Sequence, residues 1–259
     1  MLAAFARVIR SLLFTLILAS APASGMIFDH DDRVTRSAVS GSPYAPIGLV
    51  WADKLATGFL VDNCHVLTVQ HVFSGKQSAI GRQAFFGALI LDQGHWTASL
   101  GKVVAAGGLE NHSTNYDAAR VSDWALLRLQ TCLGARIGYV RLVEADRETL
   151  PQLQSAGYPA DRKNADGVTI DPDCRVLGAR AGLWLNDCAA VSGNSGSPIF
   201  SESQDKDSQR LQVYAIQSAA YEFPNHSLPF DTGYANIATP IGIILPHIAN
   251  LLKPSPRRH

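Results

Sequence analysis

Short apolar segments separated by turn residues constrain the fold of this chain more than any other feature of its sequence. Clusters rich in Gly, Asn, Asp and Pro interrupt the apolar segments at short intervals, and long amphipathic patterns are missing between them. Many short strands at such intervals are typical of a β-sandwich or a β-barrel. The predicted strands are Ile47–Trp51, Thr57–Val61, His65–Val69, Ala84–Leu91, Thr97–Ala105, Trp124–Leu129, Leu153–Gly157, Arg175–Leu177, Leu183–Leu185, Pro198–Phe200 and Val213–Ser218.

A connecting region and one helix complete the predicted all-β organisation. The stretch Gly134–Leu153 has few strand signals, so we expect it to join two halves of the molecule. One helix is predicted at Ile241–Leu252, where apolar residues dominate one face. With 259 residues, 47% of them apolar, the chain is long enough to bury a sizeable core.

The charge balance of the chain excludes some classes of partner. Lysine plus arginine and aspartate plus glutamate number 22 each, so no net charge directs the protein to nucleic acid or to an anionic membrane. Only 17% of the residues are charged and no segment is low in complexity, which argues against disorder. We expect a folded monomer with no nucleic-acid partner.

The first 23 residues differ in pattern from the rest of the chain. Arg7 and Arg10 precede the apolar run Leu12–Ala19, and the small residues Ala21-Pro22-Ala23 follow it. This order is typical of a cleaved secretory signal, and the run is far shorter than the ~20 residues that cross a bilayer. We expect cleavage after Ala23, with Ala21 as the alternative, and a secreted or periplasmic protein with no stable membrane insertion.

The four cysteines, Cys64, Cys132, Cys174 and Cys188, suggest disulfide bonds in an exported chain. Four cysteines allow three pairings. Cys174 and Cys188 flank a hairpin-like segment, and a turn centred on Ala181 would place their sulfurs opposite each other across the strands. That pairing leaves Cys64 with Cys132. A metal site is disfavoured because no two cysteines have CxxC spacing.

The segment Ser192–Pro198 predicts a nucleophile loop. Gly193 and Gly196 flank Ser195 and permit a tight backbone turn close to a substrate carbonyl. In that geometry the amides of Gly193 and Ser195 can form an oxyanion hole. The alternative is an ordinary Gly/Ser loop. A lipase elbow is excluded because Ser197 stands where G-x-S-x-G requires the last glycine.

Two further residues could complete a catalytic triad with Ser195. His71 ends an apolar strand, where its ring can face a serine on one side and a carboxylate on the other. Asp123 stands immediately before the strand Trp124–Leu129, and its burial there would require donors such as an imidazole N–H. A surface strand-capping role is the alternative for Asp123, and Asp117 is a weaker rival. The order His, Asp, Ser along the chain is that of the chymotrypsin branch.

Several patches beyond the triad resemble the trypsin-like serine peptidases, and among them the bacterial glutamyl endopeptidase (V8-like) branch. The resemblance implies an all-β fold of two six-stranded antiparallel β-barrels packed together with a C-terminal helix, the first barrel at about 24–140 and the second at about 141–259. It also implies a serine endopeptidase that acts on peptides or proteins. The patches are Asp31-Asp32-Arg33, Tyr44-Ala45-Pro46, Leu67-Thr68, Asp123-Trp124-Ala125, Ala156-Gly157-Tyr158-Pro159 and Gly193-Asn194-Ser195-Gly196-Ser197-Pro198.

The same resemblance implies a substrate pocket formed by Ala189, Gln217, Ser218 and Ala220. Ala189 stands where trypsin has an acidic floor, and Gln217 stands where glutamyl endopeptidases have a histidine. Ala219 and Ala220 replace glycines that keep the family's pocket open. We therefore expect a small, uncharged pocket, with Ser218 also placed to hydrogen-bond the triad aspartate.

Activation and cofactor use follow from the same alignment. The residue before the nucleophile is the uncharged Asn194, so the ion-pair switch of trypsin is not expected and the enzyme should be competent once it is folded and its signal is cleaved. No cofactor or metal is expected, because the carboxylates of Asp161–Asp173 match no EF-hand spacing. The competing interpretations are a catalytically silent trypsin-like binding module and a secreted esterase.

Overall fold

The computed structural model describes residues 25–39, 41–74, 78–90, 95–107, 121, 123–163, 167–203, 210–220 and 227–252. The predicted signal peptide, residues 1–23, lies outside the described residues, as do Asp117 and the chain after Leu252. The helices are α1 (Gly134–Ile137) and α2 (Ile241–Ile248), with 3-10 turns at Gln70–Val72 and Arg147–Thr149. The strands are β1 (Gly25–Phe28), β2 (Val34–Arg36), β3 (Ile47–Trp51), β4 (Leu55–Leu60), β5 (His65–Thr68), β6 (Gln83–Ile90), β7 (His95–Ala106), β8 (Ala125–Leu129), β9 (Arg141–Leu142), β10 (Leu153–Gly157), β11 (Val168–Cys174), β12 (Val176–Arg180), β13 (Leu183–Asn186), β14 (Ala190–Val191), β15 (Pro198–Ser201), β16 (Gln212–Ala219), β17 (Ser227–Leu228) and β18 (Asn236–Pro240).

The first half of the molecule is a closed barrel. Its strands follow the order β3-β4-β5-β8-β7-β6, and each neighbouring pair is antiparallel. The alternation of side chains decides which face is the core: Phe86 on β6 is fully buried, whereas its neighbour Phe85 points outward. Closure leaves this half without a free sheet edge.

The second half is a nine-stranded sheet. Its path is β12-β13-β18-β16-β15-β10-β11-β2, and β9 adds to β16 in parallel. The chain runs from β11 into β12 through Arg175 alone, so the backbone joins the two sides of this sheet. The all-β, chymotrypsin-like architecture with a C-terminal helix is thus confirmed, with this rolled sheet in the place of the second barrel.

The N-terminal strands lie on the second half, whereas the division at about residue 140 assigned them to the first barrel. Strand β2 pairs with β11, and β1 lies between β14 and β17. The close approach of β1 to β14 requires a glycine, since a Cβ at Gly25 would collide with the backbone of Ala190 and Val191. The chain therefore crosses from the second half into the first barrel between β2 and β3.

Two disulfide bonds, Cys64–Cys132 and Cys174–Cys188, are the predicted pairs. The hairpin of β12 and β13 turns at Ala181 and Gly182, which both have positive φ values of 51° and 82°. This backbone conformation is the one that a two-residue hairpin turn needs. The register shifts by one residue near Val176, which brings Cys174 opposite Cys188.

The C-terminal helix packs against both halves of the molecule, because it contacts β16 and β18 of the second half and shares an apolar cluster with the first barrel. Ile241, Ile244 and Ile248 are fully buried in the same apolar cluster as the barrel interior, and the ring of His247 stacks on Trp124 at 5.7 Å. The helix ends at Ile248, four residues before the predicted end, and continues as hydrogen-bonded turns. Among the described residues, neither helix has the length and apolar composition needed to cross a membrane.

Candidate active site

Adjacent strands of the first barrel bring His71 and Asp123 together. Strand β5 pairs with β8 so that Thr68 opposes Ala125. His71 follows β5 in the 3-10 turn Gln70–Val72, and Asp123 lies two residues before β8. The pairing therefore places two residues that are 52 positions apart at the same end of the barrel.

The carboxylate of Asp123 is buried and fully used as an acceptor. Its Oδ1 accepts the backbone N–H groups of Gln70 at 3.1 Å and His71 at 2.9 Å. Its Oδ2 lies 2.7 Å from Nδ1 of His71. Because Asp123 is only 5% exposed, these donors are what make the burial of its charge tolerable. They also fix the imidazole with Nδ1 towards the carboxylate.

The other ring nitrogen of His71 faces Ser195. Nε2 lies 3.0 Å from Oγ of Ser195, which comes from the second half of the molecule. With the Nδ1 proton directed at Asp123, the Nε2 lone pair is available to the serine hydroxyl. The structure thus places the three residues singled out from the sequence in one hydrogen-bonded chain.

The loop around Ser195 depends on two glycines. Gly193 and Gly196 have φ values of 96° and 83°, and a Cβ at Gly193 would collide with the carbonyl oxygen of Tyr158. The N–H groups of Gly193 and Ser195 donate to no acceptor among the described residues. Both residues line the cavity in front of Ser195. These two amides are therefore available to a ligand oxygen.

Asn194 stabilises this loop without a charge. Its side chain is 4% exposed, and its Oδ1 accepts the N–H of Val191 at 3.2 Å while its own N–H donates to Val191 O. Ser197 N donates back to Asn194 O at 2.9 Å. The turn is closed by hydrogen bonds within the loop itself, in keeping with the uncharged residue at this position.

Thr57 on β4 connects the first barrel to the nucleophile loop, and the sequence did not reveal this role. Its Oγ1 donates to Gly193 O at 2.8 Å and accepts the N–H of Tyr158 at 3.0 Å. Its backbone N–H donates to Ser195 O at 2.8 Å. A threonine in a strand is ordinary, so only the partners 136 and 138 residues away identify it.

A cavity of about 470 Å³ opens in front of the triad. His71 and Ser195 lie on its wall, as do Ser218 and Ala220 of the predicted substrate pocket. Ser218 is fully buried, and its hydroxyl donates to Ile237 O at 3.2 Å. The lining residues are Gly25, Leu49, Lys54, Leu55, His71, Val72, Tyr158, Ala160, Val191, Ser192, Gly193, Ser195, Ser218, Ala219 and Ala220.

The other two residues of the predicted substrate pocket, Ala189 and Gln217, do not line this cavity. Ala189 packs against Ile27 of β1, and its N–H donates to the buried carboxylate of Asp171 at 2.6 Å. Gln217 is 2% exposed and donates from Nε2 to Ala219 O, and its Oε1 has no partner among the described residues. Ser218 lies at an irregularity in the pairing of β16 with β18, between Gln217 and Ala219, and it lines the cavity whereas Gln217 does not.

Strand β1 separates Ala189 from the cavity. Gly25 lines the catalytic cavity, whereas Ile27 and Ala189 line a smaller space of about 70 Å³ on the other side. Asn236 holds β1 there, since its Nδ2 donates to Met26 O at 3.1 Å. The sequence did not predict this role of β1. The strand is a short segment just after the predicted signal peptide, and its position depends on pairing with β14 and β17.

The charged groups of the site are few. Lys54 is the one lysine or arginine among the described residues that line the cavity. In the part of the chain that the structure describes, no group of three or more His, Cys, Asp or Glu side chains is arranged to hold a metal ion. The chemistry of this arrangement is that of a serine, an imidazole and a carboxylate acting through hydrogen bonds.

Comparison with known proteins is consistent with this geometry. The family model "Trypsin" matches residues 38–239. A solved Glu endopeptidase in complex with MPD has a similar fold, with a TM-score of 0.62 and 18% identity over 88% of this chain and 99% of that chain. The protease Anisep from Arthrobacter nicotinovorans gives a TM-score of 0.59 and 15% identity over 84% and 98%. Among curated proteins, none matches this chain by sequence. Since the trypsin model covers most of its length, the chain belongs to the trypsin family of serine peptidases.

Proposed function

We propose that this protein is an exported serine endopeptidase that cleaves peptide bonds through His71, Asp123 and Ser195. The observation that carries the proposal is the position of one imidazole between two partners. His71 lies 2.7 Å from the Asp123 carboxylate and 3.0 Å from the Ser195 hydroxyl. A base in this position can take the serine proton at the moment when the oxygen attacks.

The first half of the reaction forms an ester on Ser195. Oγ attacks the peptide carbonyl carbon while Nε2 of His71 accepts the hydroxyl proton. The resulting imidazolium is stabilised by Asp123, and it then protonates the leaving amine as the C–N bond breaks. The acyl group remains on Ser195. In the second half, His71 activates a water molecule in the same way, and the ester is hydrolysed to the free acid.

The amides of Gly193 and Ser195 stabilise the oxyanion in both halves. Their geometry is set by the positive φ of Gly193 and by the hydrogen bonds of Asn194. Donors that are fixed before the reaction need no reorganisation when charge develops on the oxygen. Each such donor contributes on the order of 3–4 kcal/mol to the lowering of the barrier.

The pocket in which the acyl-side residue binds is small and uncharged in this proposal. Ser218, Ala219 and Ala220 form part of the cavity wall, as does Ser192. Alanine at positions 219 and 220 narrows the space that glycines would leave open. Ala189 and Gln217 act behind this wall, since neither lines the cavity. Peptides with small uncharged residues before the scissile bond are therefore the preferred substrates.

Export and maturation complete the proposal. The mature protein begins after removal of residues 1–23 and acts as a monomer outside the cytoplasm. The disulfides Cys64–Cys132 and Cys174–Cys188 support this location, because such bonds persist in oxidising compartments.

Labelling with a fluorophosphonate and digestion of a peptide library together test the proposal. The mature protein should be labelled at Ser195 and should cleave the library, and Ser195→Ala should do neither. His71→Ala should lower kcat by at least about 10³-fold because the serine loses its base. Inertness of the wild type in both assays would favour the silent binding module. Cleavage after Glu, Lys or Arg would contradict the small pocket and leave the nucleophile assignment intact.

A further inference from the structure

Four large apolar side chains form one exposed row on the outside of the first barrel. Leu55 opposes Trp51 across β4 and β3, Trp51 opposes Phe85 across β3 and β6, and Phe85 opposes Leu100 across β6 and β7. Their exposed fractions are 57%, 65%, 45% and 36% in that order. We name Leu55, Trp51, Phe85 and Leu100 the apolar row. It spans three interstrand spacings of about 4.8 Å, or about 14 Å.

The barrel itself does not require these side chains. The neighbours that point inward, such as Val50 and Phe86, are fully buried and supply the core. Outward positions of an antiparallel sheet that face water are usually polar. A contiguous set of exposed aromatic and aliphatic residues is instead typical of a binding surface.

A fifth aromatic residue broadens the surface beside Phe85. At Gly87, a Cβ would meet the rings of Trp96 and Phe85 at 3.3 and 3.4 Å, so both rings cover this glycine. Trp96 is 39% exposed. The missing side chain at Gly87 thus allows two aromatic rings to lie next to each other.

The apolar row is continuous with the catalytic cavity. Leu55, its first member, lines the cavity together with His71, and so does Leu49 on the same face of β3 as Trp51. The charged residues near this end are Asp53, which pairs with Arg82 at 2.6 Å, and Lys54, which lines the cavity. A polypeptide that is bound in the cavity and extends over the first barrel therefore contacts the apolar row.

We propose that the apolar row binds large apolar side chains of the polypeptide substrate on the leaving-group side of the scissile bond. The proposal rests on the proposed function. His71 must lie next to the leaving nitrogen to protonate it, and His71 belongs to the first barrel, as does the row. The second half, with Ser192 and Ser218–Ala220, receives the acyl side. At about 3.3 Å per extended residue, the row accommodates about four residues.

Three peptides built on one short sequence from the library digest test this proposal. The first is the short peptide, the second adds five residues rich in Leu and Phe on the leaving-group side, and the third adds the same residues on the acyl side. For the wild type, the leaving-side extension should raise kcat/KM about tenfold, because a few well-packed aromatic residues usually supply most of the binding at an interface. The acyl-side extension should have less than a twofold effect.

Trp51→Ser and Phe85→Ser should each abolish this gain and change kcat/KM for the short peptide less than twofold. Leu177→Ser is the matched control, because Leu177 is an equally apolar residue, 39% exposed, on β12 of the second half. It should retain the tenfold gain. Thermal unfolding of each variant checks that the exposed substitutions leave the fold intact.

Other outcomes overturn the proposal. A gain that survives in both Trp51→Ser and Phe85→Ser would show that the extension binds elsewhere. Sedimentation measures whether copies of the chain associate. If Trp51→Ser changes the association state but leaves the tenfold gain in kcat/KM unchanged, the apolar row is a contact between copies of the chain. If no peptide is cleaved, the proposed hydrolysis fails, and binding of the extended peptide to Ser195→Ala tests the apolar row separately. Tight binding that is lost on replacing Trp51 supports the row. Binding that does not depend on Trp51 refutes the role of the row.

Discussion

Asp171 is a buried carboxyl group that accepts the N–H of Ala189 behind β1, and its titration should make the stability of the fold depend on pH. It is 5% exposed on β11. Its pKa is raised to about 6: burial is the main cause, the Ala189 N–H that donates to it opposes the rise, and the nearby carboxylates of Asp32 and Asp187 add to it. In the unfolded chain an aspartate has an ordinary pKa of about 3.9. Between about pH 4 and pH 6 the native state therefore binds more protons than the unfolded state, and the free energy of unfolding falls as pH rises.

Asp171→Asn should remove this dependence. The amide oxygen can still accept the Ala189 N–H, but nothing remains to ionise. The free energy of unfolding should be on the order of 2 kcal/mol higher at pH 7 than in the wild type and flatter between pH 4 and pH 6. Urea unfolding at four pH values measures both, with the exposed Asp146→Asn as the control. Parallel curves for the wild type and Asp171→Asn would contradict the raised pKa.

Individual residues could be predicted from the sequence where a local pattern marked them and could not where their role depends on distant partners. His71, Asp123 and Ser195 each stand next to a strong local signal, an apolar strand or a pair of glycines, so their types and order were sufficient to single them out. Thr57 and Gly25 have no such local signal, because their roles arise from partners that only folding brings near. The substrate pocket was predicted only from the resemblance to the trypsin-like peptidases. In the structure β1 lies between Ala189 and the cavity, so Ala189 does not line it.

At the scale of elements, most strands in which apolar residues dominate were predictable, even where a strand begins with a proline, as β15 does. All six strands of the first barrel match predicted segments within a few residues. Strand β11 was missed because it contains acidic residues and Pro172, which the structure accommodates at an irregularity in its pairing with β10. Strand β18 has Asn236 and Pro240 at its ends, and β2 has three exposed residues. Their pairing is decided by tertiary context.

The segment between β1 and β2 is fixed by Arg33, whose side chain is 2% exposed. It pairs with Asp31 at 2.8 Å and with Asp161, in the loop after β10, at 2.6 Å. Arg33→Ala should lower the free energy of unfolding by about 2 kcal/mol, because Asp161 loses its cation, whereas Asp31 keeps an ion pair with Arg162 at 2.6 Å. Arg147→Ala, which removes a largely exposed pair with Glu148, should cost less than about 1 kcal/mol. Equal losses in chemical unfolding would show that burial does not distinguish these two pairs.

At the scale of the whole molecule, the proposed catalysis depends on how the two halves are held together. His71 and Asp123 come from the first barrel and Ser195 from the second half, so a small displacement of one half would separate the base from the nucleophile. Thr57 bridges the two halves with hydrogen bonds to Gly193 O, Ser195 O and Tyr158 N. Its own carbonyl accepts the hydroxyl of Thr68 at 2.7 Å, which ties it to β5.

Thr57→Val should reveal this coupling, since it keeps the shape and the backbone bond to Ser195 but removes the hydroxyl. Gly193 O and Tyr158 N would lose a buried partner, at a cost of about 1–3 kcal/mol in the free energy of unfolding. Because Gly193 carries one of the two proposed oxyanion donors, kcat should also fall by at least about tenfold with little change in KM, measured on the short peptide under conditions where the variant is fully folded. Thr57→Ser restores the hydroxyl and should recover most of kcat. A Thr57→Val enzyme that is destabilised but has wild-type kcat would mean that the bridge serves only stability, and that the nucleophile loop holds its geometry through Asn194 alone.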